Sequence, residues 1–164
     1  MSGWRTRLLS VCLLLATTVG IHAQPPSPGG DRARLIGNYR LVSFQSLDEK
    51  GAARPGQYNA GRIMYDAAGQ MAAQLMLTTR AKATPTSDAE RATAYRSYFA
   101  YYGGYTVDEA KGMVTHHLQG STNPSSTGTD FVRYYTFSGD GKHLTLSVKN
   151  AEGRVTGVLL WERF

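Results

Sequence analysis

The stretch GRIMYDAAGQMAAQLMLT, residues 61–78, joins two short apolar runs through the turn sequence DAAG. Short runs on either side of a glycine-containing turn indicate a β-hairpin. The same pattern recurs around the turn sequences DEAKG, SGDG and NAEG further along the chain. Counting such runs outward from residues 61–78 predicts eight strands, at about 35–47, 61–66, 70–78, 104–108, 113–120, 129–138, 143–149 and 154–163.

One segment departs from this pattern. Ser87 and Glu90 have the spacing of a capping box, and aromatic residues follow at near-helical intervals until Gly103 and Gly104. We therefore predict one amphipathic helix over residues 88–102, between the third and fourth strands. Consecutive hairpins with a single helix predict an all-β fold, an eight-stranded up-and-down antiparallel barrel. Eight strands enclose a space that side chains fill or that holds one small ligand, and alternation alone leaves both open.

The first residues predict export. Arg5 and Arg7 precede the apolar run 8–19, and the small-residue pattern ending at Ala23 is typical of a signal-peptide cleavage site. We therefore expect residues 1–23 to be a signal peptide and the protein to be secreted or periplasmic.

Residues 24–33 are rich in proline and glycine and predict a disordered linker, which leaves residues 34–164 as one barrel domain. The single cysteine, Cys12, falls in the predicted signal peptide. Disulfides, zinc–thiolate sites and cysteine nucleophiles are therefore not expected in the exported chain.

Charge and motifs exclude several classes of function. The sequence has 18 Lys and Arg against 12 Asp and Glu, a net charge of +6, but the arginines are scattered. Nucleic-acid binding usually needs a clustered basic surface, so no nucleic-acid partner is expected. No apolar segment after Ala23 has the length of a membrane span. The motifs G-x-S-x-G, Walker A and G-x-G-x-x-G do not occur, which removes the simplest support for serine esterase, NTPase and dinucleotide-binding functions.

The stretch LIGNYRLVS, residues 35–43, resembles the opening G-x-W strand of lipocalin-type barrels, with Tyr39 at the tryptophan position. The rest of residues 34–164 is similar to the bacterial and fungal lipocalin-like domain family of the calycins. The matching segments are GRIMY (61–65), GQMAAQL (69–75), YGGYTV (102–107), VTHH (114–117), GTDFVR (128–133), LTL (144–146) and LWER (160–163). This resemblance implies a calycin-type barrel with a small-molecule cavity. No cofactor is expected.

His116 and His117 are the most suggestive candidates for chemistry. Adjacent strand residues point to opposite faces, so the pair cannot chelate one metal, and no carboxylate cluster accompanies them. Val114, His116 and Leu118 form the more apolar face, which makes His116 the candidate for the interior. It is then either a buried histidine satisfied by a hydroxyl or backbone group, or a ligand-binding or acid–base histidine. No metal site is expected.

Arg133 lies between Phe131 and Tyr135 on one strand face. If that face is internal, its guanidinium must pair with a carboxylate or a ligand anion, or close the barrel mouth by packing on an aromatic ring. Arg163 is expected to pack against Tyr39 in the same structural way. The candidate ligand-binding residues are Tyr65, Gln74, Met76, Tyr98, Tyr102, His116 and Arg133.

Together these observations predict a secreted or periplasmic barrel that binds a small hydrophobic or amphiphilic molecule. The alternative is a small cofactor-independent enzyme of the isomerase, cyclase or hydratase type. In it, His116 would be the acid–base group, Tyr65 or Tyr98 would orient an oxygen, and Arg133 would stabilise negative charge. The absence of a recognised catalytic pattern favours binding. A third option is a barrel with a filled interior that acts through its rim loops.

Overall fold

The computed structural model describes residues 29–81 and 83–164. The predicted signal peptide, residues 1–23, lies outside the described residues, as does most of the predicted linker. The end of that linker is not extended: Gly30–Leu35 form helix α1, and Leu35 is fully buried. The prediction of a disordered linker up to residue 33 is therefore wrong from Gly30 onward, because an apolar side chain at the end of the segment docks against the barrel.

The described residues contain two α-helices and nine strands. Helix α1 spans Gly30–Leu35 and helix α2 spans Asp88–Arg96. The strands are β1 Gly37–Leu47, β2 Ala53–Pro55, β3 Ala60–Tyr65, β4 Gln70–Met76, β5 Tyr98–Asp108, β6 Met113–Ser121, β7 Asp130–Phe137, β8 His143–Lys149 and β9 Val155–Arg163.

Eight of the strands close into one antiparallel up-and-down barrel. The strand order is β1-β3-β4-β5-β6-β7-β8-β9, and β9 pairs back with β1 to complete the ring. The three-residue β2 pairs only with the end of β1 and stays outside the ring. Helix α2 follows the third barrel strand, as the sequence predicts. The all-β, eight-stranded barrel prediction is confirmed.

A β-bulge in β1 changes which residues face inward. The pairing of β1 with β9 shifts its register between Leu41 and Ser43. Simple alternation puts Phe44 on the face opposite Tyr39 and Leu41, whereas the extra residue returns Phe44 to the interior. The bulge thus places the Phe44 ring inside the barrel, which strict alternation along β1 does not predict.

The predicted helix 88–102 is shorter than expected. It ends at Arg96, and Tyr98–Asp108 form the long strand β5. Residues 98–102 fit both helical spacing and strand alternation, and pairing decides between them: Met76 faces Tyr98 and Gln74 faces Ala100 along the edge of β4. Without β5, the backbone hydrogen-bonding groups of that edge would have no partner strand. The aromatic face expected on the helix therefore belongs largely to a strand.

The two ends of the barrel differ. At the end where β1 begins, the hydroxyl of Tyr39 donates to the carbonyl of Leu35 at 3.0 Å. Arg163 stacks on the Tyr39 ring at 4.7 Å from its centroid and donates to the carbonyl of Ile36 at 2.7 Å. The predicted packing of Arg163 on Tyr39 is confirmed. Helix α1 and these contacts close this end, so access to the interior lies at the opposite end.

Candidate functional site

An apolar cavity of about 320 Å³ occupies the half of the barrel away from α1. Inward side chains from seven of the barrel strands and from the loop before β3 form its wall. They are Phe44, Gln57, Tyr58, Ile63, Ala73, Leu75, Phe99, Tyr101, Arg133, Leu146, Val148, Leu159 and Trp161. The amide of Gln57 donates to the carbonyl of Arg96 at 3.1 Å, which ties the end of α2 to the rim. The volume falls at the lower end of the range for small-molecule sites.

A larger depression, of about 540 Å³, lies outside the barrel between α2 and the segment that leads into it. Alanines and threonines form most of its wall. None of the described charged residues that line it is buried, so the barrel interior is the better candidate site.

His116 lies at the centre of a buried hydrogen-bonded group below the cavity. Its side chain is fully buried; Nε2 is 2.7 Å from the hydroxyl of Tyr65, and Nδ1 is 3.1 Å from the hydroxyl of Tyr101. A neutral imidazole donates from one ring nitrogen and accepts at the other, so both nitrogens are satisfied by one tautomer. His116 faces inward as predicted, and the hydroxyl-satisfied option is the arrangement present.

The surroundings hold this group in its neutral form. Burial is the main cause that lowers the pKa of His116 well below its usual value, and the positive charge of Arg133 acts in the same direction. Burial also raises the pKa of Tyr65 and of Tyr101. In its resting state the imidazole is therefore an uncharged bridge between two phenols.

Tyr101 connects this bridge to the cavity. Its side chain lines the cavity wall, whereas neither His116 nor Tyr65 does. A molecule in the cavity would therefore meet the Tyr101 phenol before the imidazole. Any proton exchanged with His116 would have to pass through that hydroxyl.

Arg133 brings a positive charge to the cavity wall. Its guanidinium lies 5.0 Å from the centroid of the Phe131 ring and donates to the carbonyl of Val132 at 2.9 Å. Of the two alternatives that the sequence left open for Arg133, packing on an aromatic ring is present, and it does not exclude a ligand anion. Among the described residues no carboxylate lies within ion-pair distance of it, although six other ion pairs are present there.

Trp161 contributes a second unusual donor. Its side chain lines the cavity and is 1% exposed, and its indole N–H has no acceptor among the described residues. Buried donors in folded proteins are almost always paired, and an unpaired one costs about 1–3 kcal/mol. The barrel therefore keeps an unsatisfied donor in the wall of its cavity.

The structure brings together three of the seven predicted site residues. Tyr65, His116 and Arg133 face the interior. Of these three, only Arg133 lines the cavity, and Tyr65 and His116 lie below it. The other four lie outside the barrel interior: Gln74 and Met76 alternate with the inward residues of β4, and Tyr98 and Tyr102 alternate with those of β5. Tyr102 is 59% exposed. The strand phase places these four on the outer face, because on each strand the neighbouring residues (Ala73 and Leu75, or Phe99 and Tyr101) take the inward positions.

Sequence reasoning missed Tyr101, Phe44 and Trp161 as cavity residues. For Tyr101 a signal exists: read as a strand, residues 99–105 alternate Phe99, Tyr101, Gly103 and Tyr105 inward. Gly103 also marks the close approach of β6, since a Cβ there would collide with the backbone carbonyl of His117. For Phe44 the bulge leaves no clear signal in the sequence.

His117 points outward and forms its own cross-strand group. Its Nδ1 is 2.8 Å from a carboxylate oxygen of Asp130, and its Nε2 is 2.9 Å from the hydroxyl of Thr106. All three side chains are substantially exposed, and this group lies outside the cavity. We assign it to pairing between β5, β6 and β7 on the outer surface.

Within residues 29–81 and 83–164, no three His, Cys, Asp or Glu side chains cluster in a way that could hold a metal ion. In the same residues no helix is both long and apolar enough to cross a membrane.

Comparisons with known proteins identify a family through its sequence model. No curated protein matches the chain. Among solved structures the chain matches a redesigned β-barrel, with 11% sequence identity and a TM-score of 0.42, over 81% of this chain and 94% of that one. The family model for the lipocalin-like domain matches residues 36–164, which is every strand of the barrel. With the closed eight-stranded ring, this match shows that the chain belongs to the lipocalin-like domain family.

Proposed function

We propose that this protein binds a small hydrophobic or amphiphilic molecule inside the barrel, and that it does so after export to the periplasm or the extracellular space. The observation that carries the proposal is the apolar cavity of about 320 Å³. Its walls are mainly aliphatic and aromatic, with a few polar groups, which is the usual composition of a small-molecule site. The lipocalin-like fold supports small-molecule binding in general. The predicted signal peptide supports export.

Burial of apolar ligand surface supplies the driving force. It contributes roughly 25 cal/mol per Å² of apolar area, from which the costs of association are subtracted. The walls that would provide this area are Phe44, Leu75, Phe99, Val148 and Leu159. Because these side chains come from different strands, the site exists only when the ring of strands is closed.

The test is native mass spectrometry of the full chain purified from its secretory compartment, followed by denaturing extraction of any bound molecule. We expect a stoichiometric adduct on the wild-type protein. Ala73→Phe fills the cavity, because Ala73 is buried and lines its wall. This variant should lose the adduct while its circular dichroism spectrum stays that of the wild type.

Ala72→Phe is the matched control, because Ala72 is the adjacent residue and lines a depression on the outer face. It should keep the adduct. If Ala73→Phe retains the adduct, or if both variants lose it equally, the molecule does not bind in the interior and the proposal is wrong. If the wild type carries no adduct, the affinity of both variants for N-phenyl-1-naphthylamine, a neutral fluorescent probe, is measured by titration. Ala73→Phe should then lose binding of the probe, and Ala72→Phe should keep it.

A second candidate, a cofactor-independent enzyme that moves one proton, is favoured by one observation. The Tyr65–His116–Tyr101 hydrogen bonds lead from the buried imidazole to a phenol at the cavity wall, close to the charge of Arg133. In such an enzyme Tyr101 would contact the substrate, and His116 would position that phenol and exchange its proton. The extracted molecule, returned to the protein in D₂O, would exchange one carbon-bound hydrogen for deuterium with wild type and none with Tyr101→Phe. Equal incorporation by both proteins would rule this candidate out.

A further inference from the structure

The charge balance of the cavity points to the chemistry of its ligand. Arg133 carries a permanent positive charge and is only partly exposed. Among the described residues that line the cavity there is no aspartate or glutamate. A cation at the edge of an apolar space is costly unless an anion or several acceptors meet it. The fold itself supplies three neighbours to this guanidinium: the Val132 carbonyl, the Tyr101 hydroxyl and the Phe131 ring.

The guanidinium of Arg133 has more N–H donors than its neighbours in the fold accept. Arginine presents five N–H donors; one donates to the Val132 carbonyl, and the Tyr101 hydroxyl accounts for at most one more. The contact with the Phe131 ring takes up no carboxylate or carbonyl acceptor, so at least three donors remain for a planar, bidentate partner. Arg133 therefore has the free donors that recognition of a carboxylate requires.

Tyr101 adds a second donor to the wall. Its hydroxyl can donate when His116 presents its other tautomer. The indole N–H of Trp161 has no acceptor among the described residues, but its nitrogen is buried and is not offered to the cavity. The cavity wall thus combines one cation and the Tyr101 hydroxyl with a mainly apolar surface.

We propose that the ligand is a small organic anion: an apolar body of aliphatic or aromatic character that carries one carboxylate or equally acidic group bound by Arg133. This inference rests on the proposed function and names its ligand class. The apolar body would occupy the space between Phe44, Phe99, Val148 and Leu159.

Two fluorescent probes with the same ring system test the charge. 8-Anilinonaphthalene-1-sulfonate is N-phenyl-1-naphthylamine with one added sulfonate, so the pair differs by a single negative charge. We expect the sulfonate to bind the full chain at least ten-fold more tightly than the neutral probe. Decanoate should displace it, whereas decanol at equal concentration should displace it at least ten-fold less effectively.

Variants at Arg133 separate charge from shape. Arg133→Gln should weaken binding of the sulfonate at least ten-fold and leave the neutral probe within two-fold of wild type. Arg133→Lys should restore part of the loss, because it keeps the charge but not the fork of donors. Arg62→Gln removes the same charge from an exposed position on β3 and should change neither affinity. If Arg62→Gln weakens the sulfonate as much as Arg133→Gln does, the effect is one of net charge and the inference is wrong.

The outcomes also distinguish this inference from the function it rests on. One result would contradict the anionic ligand class alone: the two probes bind equally well, Arg133→Gln changes neither affinity, and Ala73→Phe abolishes both. The proposal that the barrel binds a small molecule would then stand. Binding that survives Ala73→Phe contradicts the binding barrel itself, and the inference falls with it. If none of the three molecules binds (the neutral probe, the sulfonate or decanoate), both proposals are likewise contradicted.

Discussion

At the scale of single residues, the hydrogen bonds around His116 explain how an imidazole can be fully buried among apolar side chains. Each ring nitrogen meets a tyrosine hydroxyl, from Tyr65 on one side and Tyr101 on the other. A buried polar group with all its partners costs little, whereas one that loses a partner carries the full cost of its desolvation. The three residues therefore depend on one another for stability.

Removing one hydroxyl from this group should destabilise the fold. Tyr65→Phe leaves Nε2 of His116 without its partner at 2.7 Å. We expect the free energy of unfolding to fall by about 1–3 kcal/mol, measured by urea denaturation. Tyr102→Phe is the control, because that residue is 59% exposed on the outer face, and it should change stability by less than about 0.5 kcal/mol. Equal effects of the two variants would mean that the buried hydrogen bond contributes no stability.

The low pKa of His116 makes stability depend on pH. Burial and the charge of Arg133 keep the folded imidazole neutral, whereas in the unfolded chain it gains a proton as the pH falls below about 6.5. The unfolded state then binds more protons than the folded state, so acidification destabilises the protein. The slope from this residue should approach about 1.4 kcal/mol per pH unit below that point.

Urea denaturation of wild type and His116→Gln between pH 5 and 7.5 measures this effect. The stability difference between the two proteins should be constant above about pH 6.5 and should shrink as the pH is lowered, because only the wild type loses stability through this residue. A difference that stays constant over the whole range would show that the folded imidazole is not held neutral.

At the scale of elements, helix α2 and the barrel are stabilised by different forces. None of the residues of α2 is buried, and the helix begins with a complete capping box. Glu90 accepts hydrogen bonds from the backbone N–H groups of Ser87 at 2.9 Å and Thr86 at 2.8 Å. These bonds lower the pKa of Glu90 to about 2. The helix thus depends on local polar contacts, whereas the strands depend on packing.

Loss of the cap should loosen the helix alone. Ser87→Ala removes the acceptor for the N–H of Glu90, which costs about 1 kcal/mol of local helix stability and should speed amide exchange in α2 about five-fold. Hydrogen exchange followed by mass spectrometry reports both regions at once, and peptides from β6 and β9 should exchange as in the wild type. Equal acceleration in the strands would mean that α2 and the barrel unfold together.

Helix α1 should behave in the opposite way. Leu35 is fully buried at the closed end of the barrel, next to Tyr39 and Arg163. Leu35→Ala should therefore lower the free energy of unfolding by about 2–5 kcal/mol. Ala33→Ser, on the exposed side of the same helix, is the control and should have little effect. A small effect of Leu35→Ala would show that α1 only rests on the barrel and does not complete its core.

At the scale of the whole molecule, closure of the ring creates both the core and the cavity. The half near α1 is filled by large side chains, among them Tyr39, Tyr65 and Tyr105, whereas the other half retains the space lined by Phe99 and Leu159. The strands of one continuous ring line both halves. A molecule bound in the open half would therefore stabilise the whole barrel.

Ligand binding should then appear as increased stability. With 8-anilinonaphthalene-1-sulfonate at one hundred times its dissociation constant, the free energy of unfolding should rise by about 2.7 kcal/mol. Differential scanning calorimetry measures the accompanying rise in Tm. Ala73→Phe should show no such rise. A rise of the same size in that variant would indicate binding to the surface.

The sequence allowed the strands to be predicted where turn residues separate them. The predicted bounds of β8 agree with the observed ones at both ends, and the predicted bounds of β6 and β9 agree with the observed ones to within one residue. The prediction failed at residues 98–102, where helical spacing and strand alternation coincide, and at residue 44, where a bulge shifts the register. In the candidate site, His116 and Arg133 were predicted from the phase of a single strand. Tyr101 was missed because residues 98–102 were assigned to a helix, and Trp161 was missed because only the ring brings its side chain to the cavity.

The sequence by itself determined the number of barrel strands, the turns between them and the inward position of His116, because these depend on residue type and on a period of two along each strand. The tertiary structure alone decided that β5 begins at Tyr98, that Phe44 turns inward and that one half of the barrel remains open. Each of these depends on a neighbouring strand: the edge of β4 selects the conformation of residues 98–102, and pairing with β9 sets the bulge in β1. Whether a barrel is filled or open depends on how side chains from eight strands meet across its axis, and no local stretch of sequence contains that information.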